Sequence, residues 1–117
     1  MTAVFKDLCL DAVDRRTLAE WWCTAMGYVL KLGTKGEYLG VWIGAIEDPT
    51  GAGPLIWIIE VPETKTLKNR MHLDVYGDVQ ELLDLGASLV RARDAEIQWH
   101  VLADPEGNEF CVFDPQE

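Results

Sequence analysis

The chain has 117 residues, the length of one ordinary domain. Hydrophobic residues make up 49% and charged residues 26%, which is typical of a folded globular protein and excludes disordered, collagenous and membrane-spanning classes. Twenty acidic residues against ten basic ones give a net charge of -10, so we expect neither nucleic acid nor a membrane as a partner.

The N-terminal residues have no basic stretch followed by an apolar stretch of signal-peptide length, which predicts a cytoplasmic protein. Three cysteines, Cys9, Cys23 and Cys111, form no close pair in sequence. We therefore interpret them as reduced thiols.

The first half of the chain is predicted to fold as β-α-β-β-β. Residues 4–13 alternate as a strand does, with one apolar face (Leu8, Leu10, Ala12) and one polar face (Asp7, Cys9, Asp11). Asp14 is predicted to cap a helix that ends at Gly27. Strands are predicted over residues 28–32, 37–43 and 54–61, separated by turn-rich stretches.

The second half is predicted to repeat this order. Residues 70–76 alternate again, with one apolar face (Met71, Leu73, Val75) and one polar face (Arg70, His72, Asp74, Tyr76). Asp78 and Glu81 form a capping-box pattern for a second helix, which ends at Gly86. Strands are predicted over residues 88–92, 97–103 and 109–113, and a proline-glycine turn at residues 104–108 joins the last two.

The two halves match in their letters. Leu10-Asp11 before the first helix corresponds to Leu73-Asp74 before the second. The spacing from Asp74 to Gly86 is about one helical turn shorter than that from Asp11 to Gly27, so the second helix should be shorter. The predicted fold class is α+β, with tandem β-α-β-β-β modules that form a curled mixed sheet around a concave cavity and carry the helices on the outside. The polar strand faces would line this shared cavity.

Several stretches carry a resemblance to a known family. They are Val61-Pro62-Glu63, the run from Lys68 to Val75 (KNRMHLDV), and Asp104-Pro105-Glu106-Gly107-Asn108-Glu109-Phe110 in the last hairpin. With these motifs in paired modules, the chain resembles the vicinal oxygen chelate superfamily and, within it, the small glyoxalase-like domains of the glyoxalase/bleomycin resistance/dioxygenase type. The resemblance implies a single domain over residues 1–117, with module one at 4–61, a linker at 62–69 and module two at 70–115.

The resemblance also implies where a metal would bind. In metal-using members, a divalent cation is held by one side chain from the first strand and one from the last strand of each module. His72 occupies the first-strand position of module two. Its counterpart is Cys9 if Leu10-Asp11 is matched to Leu73-Asp74, and Asp7 if the spacing to Asp14 is used.

The last-strand positions leave a second choice open. Cys111 stands where metal-binding members usually carry Glu, with Glu109 two residues earlier on the same face. In module one, strand parity favours Glu60, whereas matching Val61-Pro62 to Asp114-Pro115 favours Ile58. His72 and Glu60 are therefore the metal candidates, for Zn, Ni, Fe or Mn. A cysteine would shift the preference toward zinc, and these departures from the family pattern favour a pocket without metal.

The polar strand faces predict a ligand pocket for a small organic molecule, bounded by Asp7, Cys9, Asp11, Glu60, Arg70, His72, Asp74 and Cys111. We expect a glyoxalase-like binding protein that forms a homodimer, because the exposed strand edges of such folds can pair. Two alternatives remain open. One is a metal-dependent lyase, isomerase or dioxygenase in which Glu60 or Glu109 moves a proton. The other is a drug-sequestering resistance protein without turnover.

Overall fold

The computed structural model describes Thr2 and residues 4–115, and it divides into two compact units between Glu63 and Thr64. The first unit contains β1 (Leu8–Ala12), α1 (Arg15–Met26), β2 (Val29–Leu32), a single 3-10 turn (Gly36–Tyr38), β3 (Trp42–Glu47) and β4 (Ile56–Glu60). The second unit contains β5 (Leu73–Tyr76), α2 (Val79–Leu85), β6 (Ser88–Arg91), β7 (His100–Ala103) and β8 (Glu109–Phe113). The predicted β-α-β-β-β order is confirmed in both units.

Each unit folds into its own four-stranded mixed sheet. The strand orders are β1-β4-β3-β2 and β5-β8-β7-β6, so the two units share one topology. In each sheet the first and last strands are parallel neighbours, and the remaining pairs are antiparallel. The predicted α+β class and tandem repeat are confirmed, and the cavity shared by the two modules stays a prediction.

Strand alternation, together with burial and contacts to the helices, identifies the two faces of each sheet. In β1, Ala12 is buried and Leu10 half-buried, whereas Cys9 and Asp11 are exposed. In the second unit, Phe110, Cys111 and Val112 of β8 are all buried, so burial alone does not distinguish the two faces of this strand. A Cβ placed on Gly77 would lie 3.5 Å from Leu82 of α2 and 3.9 Å from Val112, so the Val112 face of β8 is the face toward the helix.

Both helices begin and end where the sequence predicts. The Asp14 carboxylate accepts a hydrogen bond from the backbone N–H of Thr17 at the start of α1, and Gly27 ends the helix in the left-handed region with φ 72°. The Asp78 carboxylate accepts one from the backbone N–H of Glu81 in α2, whose C-cap is Gly86. The buried side chains of α1, which packs on all four strands of its sheet, are Leu18, Ala19, Trp21 and Trp22.

The strand predicted at residues 37–43 is wrong. This segment is a loop closed on itself, in which the backbone N–H of Gly33 donates to Val41 and that of Gly40 donates back to Gly33. Gly40 has φ 75°, and a Cβ on Gly33 would collide with the Tyr38 carbonyl, so glycine is required where the loop closes. As a result, β3 begins only at Trp42 and runs to Glu47.

Four other strands are shorter than predicted by three residues or more, among them β4, which spans Ile56–Glu60 rather than residues 54–61. β1 omits residues 4–7, and β7 begins at His100 rather than at residue 97. β5 begins at Leu73, so Arg70, Met71 and His72 precede it. Met71 is 82% exposed and is not part of the apolar face assigned to it, because the strand pattern does not extend that far. In the described part of the chain, neither helix has the length and apolar character that crossing a membrane requires.

Candidate functional site

The hairpin between β7 and β8 fixes the segment that leads into β5. Asp104 is 3% exposed, and its Oδ1 accepts hydrogen bonds from the backbone N–H groups of Glu106 (3.0 Å) and Asn108 (2.9 Å). The side-chain nitrogen of Asn69 donates to Asn108 Oδ1 at 3.4 Å. The Asp-Pro-Glu-Gly-Asn turn therefore does more than reverse the chain, because it also binds the Asn69 side chain just before β8.

Glu109 attaches this segment through an ion pair and a hydrogen bond. Its Oε1 lies 2.7 Å from Lys65 Nζ and accepts a hydrogen bond from the backbone N–H of Asn69 at 3.3 Å. Both side chains are partly buried, Lys65 at 18% and Glu109 at 11% exposure. Lys65 is therefore an internal ion-pair partner rather than a solvated charge. These contacts join residues 65–69 to β8 within the second unit.

The pKa of Glu109 is set by two opposing causes. Burial raises it, but the Lys65 ammonium and the backbone N–H donors outweigh burial and hold the pKa of this carboxyl below its ordinary value. The carboxylate is therefore ionised at neutral pH and already engaged by Lys65. A free general base, the catalytic role considered for Glu109, would lack this partner.

His72, Asp74 and Cys111 meet on the face of the sheet opposite α2. Asp74 pairs directly with Cys111 in the parallel register of β5 and β8, and His72 lies two residues before Asp74. His72 Nδ1 is 3.3 Å from Asp74 Oδ1 and 3.8 Å from Cys111 Sγ. One ligand atom from each of the three residues lies within 4.8 Å of the others. We refer to these three residues as the donor cluster.

The Cys111 thiol is held in its neutral form. Burial raises the pKa of Cys111, the charge of Asp74 and a hydrogen bond to it raise the pKa further, and Lys68 acts in the opposite direction. Because the thiolate is the reactive species, this environment does not activate Cys111 as a nucleophile. A thiol beside an imidazole and a carboxylate is, however, a suitable set of donors for a metal ion.

A concavity of about 590 Å³ opens in front of the donor cluster, within the second unit. Its aromatic wall contains Trp99 and Phe113, whose ring centroids are 5.6 Å apart. Trp99 is a lining residue, and its neighbour His100 is not. The lining residues are Lys68, His72, Asp74, Val90, Arg91, Ile97, Trp99, Val101, Glu109, Cys111 and Phe113.

Sequence reasoning missed several of these lining residues. Val101 pairs with Cys111, so the alternation of β8 could have placed Val101 once the strand register was known. Val90 and Arg91 lie where the pairing of β6 with β7 is irregular, which no simple alternation predicts. Lys68 lies within residues 65–69, the segment that Glu109 holds, and no sequence pattern indicates that contact.

The predicted pocket residues of the first unit, Asp7, Cys9 and Asp11, do not form a cluster like that of the second unit. Asp7 is already engaged, because Lys6 Nζ lies 2.6 Å from its Oδ2 and the Trp57 indole N–H donates to the same oxygen at 2.9 Å. The hydrogen bond from Lys6, followed by the one from Trp57, lowers the pKa of Asp7. Cys9 and Asp11 are on the exposed face of β1.

In the first unit, the strand register identifies a counterpart of Cys111 that differs from both predicted ones, Glu60 and Ile58. Leu10 pairs with Ile58 and Leu73 pairs with Phe110, so Ile58 corresponds to the buried Phe110. Ile59 then corresponds to Cys111, and neither Glu60 nor Ile58 does. Glu60 pairs with the buried Ala12, which puts it on the face opposite to Cys9 and Asp11. Arg70 is exposed ahead of β5.

These sheets and their order define a class of α+β proteins built from tandem β-α-β-β-β modules. The family model described as a glyoxalase-like domain matches residues 7–113, so the chain belongs to this family, within the vicinal oxygen chelate superfamily.

Solved structures agree with this assignment. A hypothetical protein from S. aureus is 12% identical with a TM-score of 0.67, and the match covers 97% of this chain and 95% of that one. A glyoxalase/bleomycin resistance protein/dioxygenase family enzyme from Burkholderia phytofirmans PsJN is 17% identical with a TM-score of 0.61, covering 94% and 97%. A glyoxalase-related enzyme from Fulvimarina pelagi is 15% identical with a TM-score of 0.60, covering 96% and 87%. Likeness at this level of identity establishes the fold alone. No curated protein matches the sequence.

Proposed function

We propose that the second unit binds a small organic molecule in the concavity in front of the donor cluster. The observation that carries this proposal is the concavity itself, whose volume of about 590 Å³ falls in the range of small-molecule sites. Its lining combines an aromatic wall with a few polar groups, as such sites do. The ligand would have a flat apolar part against Trp99 and a polar part near the donor cluster.

The charges of the lining support a ligand with polar oxygen atoms. Arg91 is paired with Asp94 and Glu96, and Glu109 is paired with Lys65. Within the described residues, Lys68 has no ion-pair partner, so its ammonium is available to a bound molecule. The family relatives named for glyoxalase, bleomycin resistance and dioxygenase functions are consistent with either turnover or sequestration.

A fragment screen observed by ¹H–¹⁵N NMR tests the proposal. We expect hits to shift the amide signals of Trp99, Val101 and Phe113, and we expect Trp99→Ala to weaken binding by roughly tenfold, because a stacked aromatic contact is lost. Tyr38→Ala removes an exposed aromatic side chain of the first unit and is the matched control. Hits that bind equally well to wild type and Trp99→Ala would contradict a site at this concavity.

A divalent-metal-dependent lyase, isomerase or dioxygenase is a second candidate, and the donor cluster favours it. A cation bound there would supply Lewis acidity toward an oxygen-bearing substrate. Incubation of the NMR hits with the protein and added metal, followed by mass spectrometry, separates the functions. A chemically changed hit supports the enzyme, whereas quantitative recovery of the unchanged compound supports a binding or sequestering protein.

A further inference from the structure

We propose that His72, Asp74 and Cys111 form a zinc site contained entirely within the second unit. The inference deepens the metal-dependent candidate above and rests on it for its functional meaning. It departs from the pattern implied by the family resemblance, in which each module contributes one ligand from its first strand and one from its last. In the donor cluster all three ligands belong to module two. His72 and Asp74 come from its first-strand region, and Cys111 comes from its last strand.

The two distances from His72 Nδ1 in the donor cluster are close to those that tetrahedral zinc requires. Zinc bonds of about 2.0 Å to nitrogen and oxygen and about 2.3 Å to sulfur, at tetrahedral angles, separate N from O by about 3.3 Å and N from S by about 3.5 Å. The observed separations from His72 Nδ1 are 3.3 Å to Asp74 Oδ1 and 3.8 Å to Cys111 Sγ. A movement of a few tenths of an ångström would therefore bring His72 Nδ1 to the required separation from both other ligand atoms, which lie within 4.8 Å of each other.

The fold holds these donors in place before any ion arrives. Cys111 is 6% exposed in a strand that has neighbours on both sides, and Asp74 is its direct partner across the parallel pair. His72 follows the segment that Lys65 and Asn69 attach to Glu109. Three protein ligands are the number typical of catalytic zinc sites, which leave one position for water or substrate.

The donor chemistry selects the metal. Thiolate and imidazole ligands favour zinc and cadmium, whereas magnesium, calcium and manganese prefer sites built of oxygen atoms. The corresponding residues of the first unit are Cys9, Asp11 and Ile59, in which an apolar side chain replaces the buried thiol. The proposal therefore predicts one such site per chain, and the first unit provides its own control.

Cobalt titration of chelator-treated protein tests the site without reference to activity. We expect one equivalent of Co²⁺ to produce a sulfur-to-cobalt charge-transfer absorption and the visible bands of tetrahedral cobalt, and we expect Zn²⁺ but not Mg²⁺ or Mn²⁺ to abolish them. Cys111→Ser should lose the charge-transfer absorption and weaken zinc binding by about a hundredfold or more, with His72→Gln and Asp74→Asn also weakening it. Cys9→Ser should behave as wild type.

Other results would overturn the inference. Charge-transfer absorption that persists in Cys111→Ser or disappears in Cys9→Ser would place the site elsewhere, and Mn²⁺ binding more tightly than Zn²⁺ would contradict the donor argument. Circular dichroism of each variant establishes that it is folded. Zinc binding without turnover of any hit would preserve the site while contradicting the metal-dependent enzyme, so the two proposals fail separately.

Discussion

Glu109 and Cys111 lie two residues apart on the same face of β8, yet their surroundings stabilise opposite ionisation states. Lys65 and the Asn69 backbone keep the Glu109 carboxyl charged, whereas burial and the neighbouring Asp74 keep the Cys111 thiol neutral. The difference arises from the partners supplied by residues 65–69 and by β5. Glu109 is therefore better described as a positioning residue for this segment than as a proton carrier.

Replacing Glu109 with Gln should lower the free energy of unfolding by about 1 kcal/mol at neutral pH, because the partly buried Lys65 loses its partner. The folded-state pKa of Glu109 lies below the unfolded value, so its contribution is complete above the unfolded pKa and is lost as pH falls through the folded one. Urea denaturation of wild type and variant at neutral and acidic pH measures this contribution to the free energy of unfolding. The variant should lose less stability than wild type on acidification below roughly pH 4.

Glu63→Gln is the matched control, since Glu63 is exposed just before the second unit. It should leave both the neutral-pH stability and its acid dependence close to those of wild type. An equal effect of the two substitutions would mean that general charge reduction, rather than the Lys65 contact, accounts for the change.

At the scale of elements, the sequence predicts the helices better than the strands. Asp14, Gly27, Asp78 and Gly86 are local stop and start signals, and the helix ends depend on little else. The loop at residues 33–41 resembles a strand in composition, but backbone hydrogen bonds from Gly33 and Gly40 close it into a turn. These hydrogen bonds join residues seven or eight positions apart, and the alternation of apolar and polar residues does not predict them.

Gly27→Ala should destabilise the protein by about 1 kcal/mol, because alanine resists the left-handed conformation that ends α1. A steric clash with neighbouring residues is not the cause, since nothing lies within 4 Å of a Cβ built at this position. Denaturant midpoints with an unchanged m-value measure the effect.

Gly77→Ala is the control for the glycine substitution. A Cβ there makes only ordinary contacts with Leu82 and Val112, and Gly77 is absent from the positive-φ glycines. We expect a change within about 0.5 kcal/mol, or a small gain from reduced freedom of the unfolded chain. A Gly77→Ala loss as large as that of Gly27→Ala would contradict the conformational explanation.

At the scale of the whole molecule, the sequence predicts the repeated topology but only part of the site. Alternation places His72, Asp74 and Cys111 on polar or cavity-facing positions, because all three lie on strands or directly before one. Their convergence depends on the register between β5 and β8, which local pattern does not fix. The same limitation explains why Glu60 and Ile58 were both proposed where the register selects Ile59.

The expected homodimer is also a proposal at this scale. Each sheet of the described chain ends in two edge strands with a single neighbour, and such edges can pair. The net charge of -10 on each copy opposes association, so sedimentation should show tighter dimerisation at higher salt. A single monomeric species at every salt and protein concentration would contradict this expectation.

The parallel contact between β5 and β8 has a consequence for biosynthesis. His72 and Cys111 are 39 positions apart, and they meet only through the pairing of the opening and closing strands of the module. During translation, the ribosome must therefore release β8 before the thiol can reach the imidazole. Until that moment the nascent module has no assembled donor set, so metal binding at the proposed zinc site would follow strand docking.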